Sequence, residues 1–372
     1  MRVLIAADTM TVRPANPFVV QLLEGLVGLG RIDHVTYGVQ PLFWKGESFD
    51  VIHFQWPEAL FHWRLPRQEE TALFSATLLE HKKRALIVTT VHNIDPHPAF
   101  GVQGEATLEL VYGSTDDFIH LSEGARDLFE ERYRATPWWR TARHHVIEHG
   151  DYVHYTRLRD NPALARLARK DDTTPLLLVF GALRSVDEEE LARTAFQQAG
   201  LADTKLVFAG DPLSSTLAKG VVKAWNQDSD PAIVRYHKRV PDEQVAPLFK
   251  ASRFLLLPRA GRINSGVIPL AFTFGIPVIA PDEVLSSAVK QVGGHIYKAG
   301  DAASAAAAIR AAFAMDETDY EALRQRIRDY ARDRMQWPDI ARQHYEVYRS
   351  GKAGDRLTDS LKSLRSLLGG RK

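Results

Sequence analysis

No cysteine occurs anywhere in the sequence. That excludes a disulfide scaffold and any cysteine-ligated zinc or iron–sulfur centre. Neither sign of charge dominates, since Lys+Arg 47 faces Asp+Glu 46, so no global field exists to attract nucleic acid, and none is expected as a partner. No apolar run reaches the roughly 18 residues of a membrane-spanning helix. The opening residues MRVLIAADTM lack the long apolar run and cleavage site of a signal peptide. These absences predict a cytoplasmic protein, still compatible with a peripheral place on the inner face of the plasma membrane. No short-period repeat is visible either.

What is present is the composition of a soluble globular protein, 45% hydrophobic and 25% charged. A chain of 372 residues predicts about two domains, each able to bury its own core. The segment 251–281, ASRFLLLPRAGRINSGVIPLAFTFGIPVIAP, reads as strand, basic loop, short helix, turn and strand. Pro258 ends the first strand, and the loop carries Arg259, Arg262 and Asn264. Ser265-Gly266 opens the helix, which runs through Phe274 to Gly275. Free N–H groups and the positive end of the dipole at such a helix start suit a phosphate; an ordinary strand–helix corner with a serine cap explains the same residues.

The rest of the chain alternates in the same way. Strands are predicted at 3–7, 34–38, 51–54, 86–91, 118–121 and 145–148, with helices at 17–30, 70–83, 106–112 and 123–133. A second series of strands follows at 175–180, 205–209, 233–236, 254–257, 278–280 and 295–297. The charged, Pro- and Asp-bearing stretch 151–174 reads as the connection between them. The expected fold is therefore α/β, with two tandem doubly wound Rossmann-like domains facing an interdomain cleft, where ligands sit at the C-terminal ends of the strands.

Several polar residues stand at those strand ends. Gln55-Trp56-Pro57-Glu58 follows one strand, His92-Asn93-Ile94-Asp95 the next, and Gly181-Ala182-Leu183-Arg184 and Gly210-Asp211 follow two in the second half. His92 is a candidate base, with Glu58 and Asp95 as neighbouring carboxylates, against the plainer reading of a satisfied sheet-edge histidine. Glu58 reads equally well as a solvated loop carboxylate. Arg184, directly after a glycine-terminated strand, suits a phosphate, although a surface charge would look the same. The run His145-Val146-Ile147-Glu148-His149 has the spacing of a zinc site, but that motif needs a helix. The β-branched pair and Gly150 point to a strand, so no metal is expected.

These residues resemble the GT-B glycosyltransferases of the superfamily that includes the sucrose-synthase-like group. The resemblance is carried by TVHNIDPH at 90–97, FIHLSEGARDLF at 118–129, IEHGDY at 147–152, LLLVFGALRS at 176–185, VPDEQVAPLFKASRFLLLP at 240–258 and SGVIPLAFTFGIPVIAPD at 265–282. It implies an acceptor-binding domain at 1–155, a nucleotide-sugar-binding domain at 156–336, and a C-terminal part at 337–372, beginning at Trp337, that crosses back to the first. It also implies that His92 lies near the transferred sugar, that Arg184 binds phosphate beside Gly181, and that Ser265-Gly266 lies under the pyrophosphate. The nucleotide-sugar is then a substrate, and no cofactor is expected.

The sequence departs from the retaining members of this group. Their Glu-x7-Glu positions are Arg262 and Leu270, and their phosphate-site lysine falls at Asp187. A similar loss, with an Asn-Ser-Gly turn, resembles bacterial exopolysaccharide glycosyltransferases such as those of the xanthan pathway, which implies GDP-mannose or a UDP-sugar as donor and admits an inverting enzyme. The expected function is metal-independent hexosyl transfer to a glycan or lipid-linked oligosaccharide in cell-surface or exopolysaccharide synthesis. The alternatives are a sugar-nucleotide epimerase or hydrolase on the same fold, and a non-catalytic subunit. Two segments predict contact with an anionic membrane: Trp138 and Trp139 among Arg134, Arg140 and Arg143, and the leucine-rich basic tail 356–372. A buried tryptophan pair and a packed tail helix are the competing reading.

Overall fold

The structure, a computed structural model, describes residues 1–7, 17–61, 64–95, 101–212, 222–223, 225, 230–261 and 263–351. The chain divides into two compact units. Unit 1 is Met1–Gly150 together with the segment that starts at Gln336, and unit 2 is Asp151–Met335.

Unit 1 is built on a parallel six-stranded sheet: β1 (Arg2–Ala6), β2 (His34–Tyr37), β3 (Val51–Gln55), β4 (Leu86–Val91), β5 (Asp117–His120) and β6 (Arg143–Val146), in the order β2-β1-β3-β4-β5-β6. The middle strands β3 and β4 are buried along their whole length, as strands covered on both faces must be. Helices Phe18–Gly28, Gln68–Lys82, Gly101–Ser114 and Glu123–Tyr133 connect them. The Trp337–Ser350 helix also belongs to this unit. It lies close against Phe18–Gly28 because Gly25 faces Ala341, where a methyl group on Gly25 would come within 3.1 Å of the Ala341 Cβ. Gly150 sits under the Trp337 indole, which an added Cβ would meet at 2.4 Å.

Unit 2 repeats the scheme with β7 (Leu176–Phe180), β8 (Lys205–Ala209), β9 (Ile233–Tyr236), β10 (Ser252–Leu256), β11 (Val278–Pro281) and β12 (His295–Tyr297), in the order β12-β11-β10-β7-β8-β9. Alternate residues of each strand go to opposite faces. Leu176, Leu178, Val207 and Leu255 join one apolar cluster, while Leu177, Val179, Leu206, Phe208, Phe254 and Leu256 join the other. A core on each face explains why these strands are continuous apolar runs in the sequence. The strand order reverses between β7 and β10, which marks the switch point of this sheet.

Three expectations are corrected. The stretch 151–174 is not a loose connection: it contains the helices Val153–Thr156 and Ala163–Ala168, and Tyr152, Leu164 and Ala168 enter the core of unit 2. The helix expected from Ser265 to Phe274 is shorter, Val267–Thr273, with Gly266 and not Ser265 at its N-cap. Of the tryptophan pair, Trp138 is buried and Trp139 half-buried. Trp138 is 3% exposed and packs on Tyr112, Phe118, Phe129 and Tyr133, while Trp139 lies against His144 with ring centres 3.8 Å apart. Arg143 is held by Asp117 at 2.6 Å. Rings of this size bury best in an aromatic nest. The tail 356–372 lies outside the described residues.

Candidate active site

In unit 1 the C-terminal ends of β3 and β4 place Gln55 and His92 side by side. His53 and Gln55 are two apart on one strand and so share a face. The His92 Nε2 lies 2.7 Å from the Gln55 Oε1. An amide oxygen only accepts, so Nε2 carries the proton and Nδ1 is the lone-pair nitrogen. The Gln55 amide nitrogen donates in turn to His53 Nε2 at 2.9 Å and to Thr90 Oγ1 at 3.1 Å. His53 then holds its proton on Nδ1, 2.8 Å from the Tyr348 hydroxyl on the Trp337–Ser350 helix. A chain of hydrogen bonds therefore sets the tautomer and orientation of His92 from within the core.

Aromatic rings complete the setting. Trp56 stacks on His92 with centres 3.8 Å apart and planes 14° from parallel, and Phe18 meets the same imidazole edge-on at 5.4 Å. Trp56 has φ +44°, a conformation rare for a bulky residue, and strain of this kind concentrates at functional sites. Burial, with a smaller contribution from nearby His149, pushes the His92 pKa down to about 3. The imidazole is thus neutral throughout the physiological range.

The two carboxylates behave differently. Glu58 is buried, 4% exposed, and accepts a hydrogen bond from Asn93 Nδ2 at 3.2 Å, next to His92 in sequence. Asp95 turns outward into a surface pair with Arg132 at 3.0 Å. The intervening loop is fixed by the Tyr112 hydroxyl, which donates to the Asn93 carbonyl, and the Tyr133 hydroxyl, which donates to that of Ile94. His145 lies on strand β6 bonded to Asp117, and His149 contacts the Gly150 carbonyl. The two histidines therefore do not share a helical face.

In unit 2 the candidate residues gather at the switch point. Gly181 follows β7 with φ +94°, and a Cβ there would lie 3.7 Å from Val267 in the first turn of the Val267–Thr273 helix. Gly210, after β8, is pressed against Gly181: a Cβ on Gly210 would lie 2.0 Å from the Gly181 carbonyl oxygen. The loop after β7 is then held by Glu188, a residue the sequence did not single out. Its carboxylate accepts from the Arg184 backbone N–H at 2.9 Å and from Arg259 Nε at 3.2 Å. Arg259 also donates from Nη2 to the Ala182 carbonyl at 2.8 Å. Arg259 thus ties two loops together, with its charge matched by Glu188. Gly261 N–H is bonded to Glu283 at 2.7 Å. Asn264, Ser265 and Gly266 are half-buried before the short helix, and among the described residues Ser265 Oγ is buried with no hydrogen-bond partner. Arg262 lies outside the described residues.

Sequence reading placed Gln55 at a strand end without a role, and it missed His53, Tyr348 and Glu188. The available signal was two polar residues at alternate positions of VIHFQ, on a strand otherwise made of apolar residues.

Comparison with known proteins gives these sites a context. Residues 174–314 match the family model of the glycosyl transferases group 1. Over 358 residues the chain is 25% identical to a GDP-mannose:glycolipid 4-beta-D-mannosyltransferase of Xanthomonas campestris pv. campestris, covering 91% of this chain and 90% of that protein. Among solved structures, HepE of Anabaena in complex with UDP and glucose superposes with a TM-score of 0.64 at 15% identity, over 94% of this chain and 100% of that one. The sucrose-phosphate synthase of Thermosynechococcus elongatus gives 0.66 at 15% identity, over 94% and 99%. The structural likenesses bear on fold alone, and the family model bears on unit 2. Residues 174–314 are a domain of the group 1 glycosyl transferases, within a chain whose two parallel sheets have the GT-B architecture.

Proposed function

We propose that the protein transfers a hexose from a nucleotide-sugar, with GDP-mannose the first candidate and a UDP-sugar the second, to a hydroxyl of a lipid-linked saccharide on the cytoplasmic face of a membrane. The observation that carries this reading is likeness to the Xanthomonas mannosyltransferase along nine-tenths of both chains, joined to strand-end constellations suited to the two halves of the reaction. No helix among the described residues is long and apolar enough to cross a membrane.

A leaving nucleoside diphosphate gains negative charge as the sugar becomes oxocarbenium-like, so prearranged donors lower the barrier. Arg184 supplies one cation. The Gly181–Gly210 approach keeps side chains away from the ends of β7 and β8, and Arg259 with Glu188 fixes the loop. On this reading the arginine charge serves the diphosphate without a divalent ion, and an unchanged rate in excess chelator tests that.

A β-linked product from an α-linked nucleotide-sugar requires inversion, hence one base on the acceptor side. His92 Nδ1 is the lone-pair nitrogen of a neutral imidazole. Its low proton affinity means that it takes the proton late, as the new C–O bond makes the hydroxyl acidic. Glu58, through Asn93, keeps that loop in place. The test is incubation with labelled GDP-mannose and a membrane glycolipid extract. Label moving into lipid, with GDP released in equal amount, supports the proposal. GDP release without acceptor would point to a hydrolase, and absence of nucleotide binding to a non-catalytic subunit.

A further inference from the structure

Unit 1 has an open pocket that the transfer reaction does not use. Its volume is about 430 Å³, and it lies between the loop before β3 and the helix Gln68–Lys82. Small-molecule sites run from roughly 300 to 1,000 Å³. The loop residues lead into the start of β3 and the helix residues into the start of β4, whereas Gln55 and His92 leave the far ends of the same strands. A five-residue strand at about 3.3 Å per residue separates the two ends by roughly 15 Å, so this is a second place on the unit.

The pocket is built, not a chance dent. Glu47 N–H bonds the Trp44 carbonyl at 3.4 Å across a turn with Gly46 at φ +83°, the left-handed position a type II turn needs. The turn presents the Trp44 indole, which is 53% exposed although it lines the pocket. Phe49 and Leu42 are buried beneath. Ala76, Thr77 and Glu80 form the opposite wall at helical spacing, with Arg84 from the turn after the helix. His81 Nε2 bonds the Leu42 carbonyl at 2.8 Å and ties loop to helix.

Charge decides what fits. Glu47 is paired with Arg2, and Glu80 with Lys83 and Arg84, so of the charged lining residues only the exposed Lys45 makes no ion pair among the described residues. One exposed ammonium is a poor site for a phosphate or an anionic lipid surface, which need several converging cations. A half-exposed indole face beside a mixture of hydroxyl, carboxylate and ammonium groups matches a ring with apolar C–H faces and a rim of hydroxyls. We propose that this pocket is a secondary binding site for a neutral oligosaccharide, stacked on Trp44 and remote from the reacting sugar. It holds a stretch of glycan while the other end of the sheet works, and it does not depend on which donor the enzyme uses.

Saturation-transfer NMR on the full chain, with β-1,4-mannobiose and cellobiose as probes and GDP present to occupy the nucleotide site, tests this. The expected result is magnetisation transfer to at least one disaccharide. Trp44→Ala should weaken that binding about five- to tenfold, the loss of one aromatic stacking contact, with the GDP-induced thermal shift unchanged. Ala76→Trp, which fills the pocket and keeps the indole, should abolish it. Failure of both disaccharides to bind at tens of millimolar would overturn the proposal, as would equal binding by wild type and both variants. Binding of inorganic phosphate or phosphatidylglycerol vesicles that disappears in Trp44→Ala would also overturn it, by making the site anionic in preference.

Discussion

His92 and Gln55 meet through a hydrogen bond of 2.7 Å, Nε2 to Oε1, and that bond decides which imidazole nitrogen carries the proton. Gln55→Leu removes the acceptor and leaves His92 Nε2 without its amide partner, while His53 Nε2 keeps Thr90 Oγ1 at 2.8 Å. A buried group orphaned in this way costs about 1–3 kcal/mol. Transfer should fall by about tenfold or more with nucleotide binding intact, and nitrogen chemical shifts of His92 should report a mixed tautomer. A purely structural role would lower the melting temperature and leave the tautomer ratio where it was.

His92→Ala should lower transfer by about 10²–10⁴-fold, the usual contribution of a general acid–base group, while GDP affinity stays within twofold or so of wild type. Asp95→Asn serves as the control, since that carboxylate is engaged at the surface by Arg132, and it should change the rate little. Steady-state kinetics with labelled donor separates the two. Equal losses in both variants would remove His92 from its assigned role.

Arg184→Ala should weaken GDP binding by about one to two decades, the worth of one charge-assisted hydrogen bond. Arg259→Ala should instead act mainly on stability, because it strips Glu188 of its guanidinium partner and Ala182 of a donor. Calorimetric binding and thermal melts of the two variants give the contrast. Gly210→Ala should be worse than either: its Cβ has nowhere to go beside the Gly181 carbonyl, so nucleotide binding and unit 2 stability are lost together. Gly200→Ala, with open space around it but φ +65°, should show only the backbone penalty of about 1–2 kcal/mol.

Unit 1 should be sensitive to mild acid. Burial holds His53 well below the ordinary histidine value, His92 and His120 at about 3, and His144, His149 and His344 at about 4. These groups are neutral in the fold and protonate near pH 6.5 when unfolded. Unfolding therefore takes up protons below that pH, so stability is full above about 6.5, falls toward pH 4 and levels off only below the folded values. Each such proton adds about 1.4 kcal/mol per pH unit to the slope. Melting curves from pH 7.5 to 4.5 should show a steep loss from unit 1, and His120→Phe should flatten it. A flat profile would mean that these histidines are not buried in solution.

Trp138→Ala should cost about 3–5 kcal/mol, as removal of a large core ring does, and leave binding to anionic vesicles as it was. A loss of vesicle binding without destabilisation would return this ring to the surface.

Hydrophobic periodicity pointed to two series of buried strands alternating with helices, hence two parallel sheets, while the order of the strands within each sheet came from packing. The runs LIVTTV, LLLVF and KLVFA are buried or nearly so along the sheet, and burial on two faces leaves a mark that needs no partner to read. Strand ends could be found in the same way, which is how His92, Glu58, Arg184 and Gly181 became candidates. Tertiary structure alone decided what those residues do beside one another. The tautomer of His92 depends on a chain running through Gln55 and His53 to Tyr348, and His53 and Tyr348 lie 295 positions apart. Arg259 is engaged by Glu188 across 71 positions, so a loop arginine that reads as a phosphate ligand also braces two loops. Trp138, flanked by basic residues in sequence, sits in an aromatic nest assembled from two helices and a strand. Periodicity records which face of an element is apolar, but a hydrogen bond or an ion pair is fixed by which distant group arrives opposite it, and only packing brings those groups together.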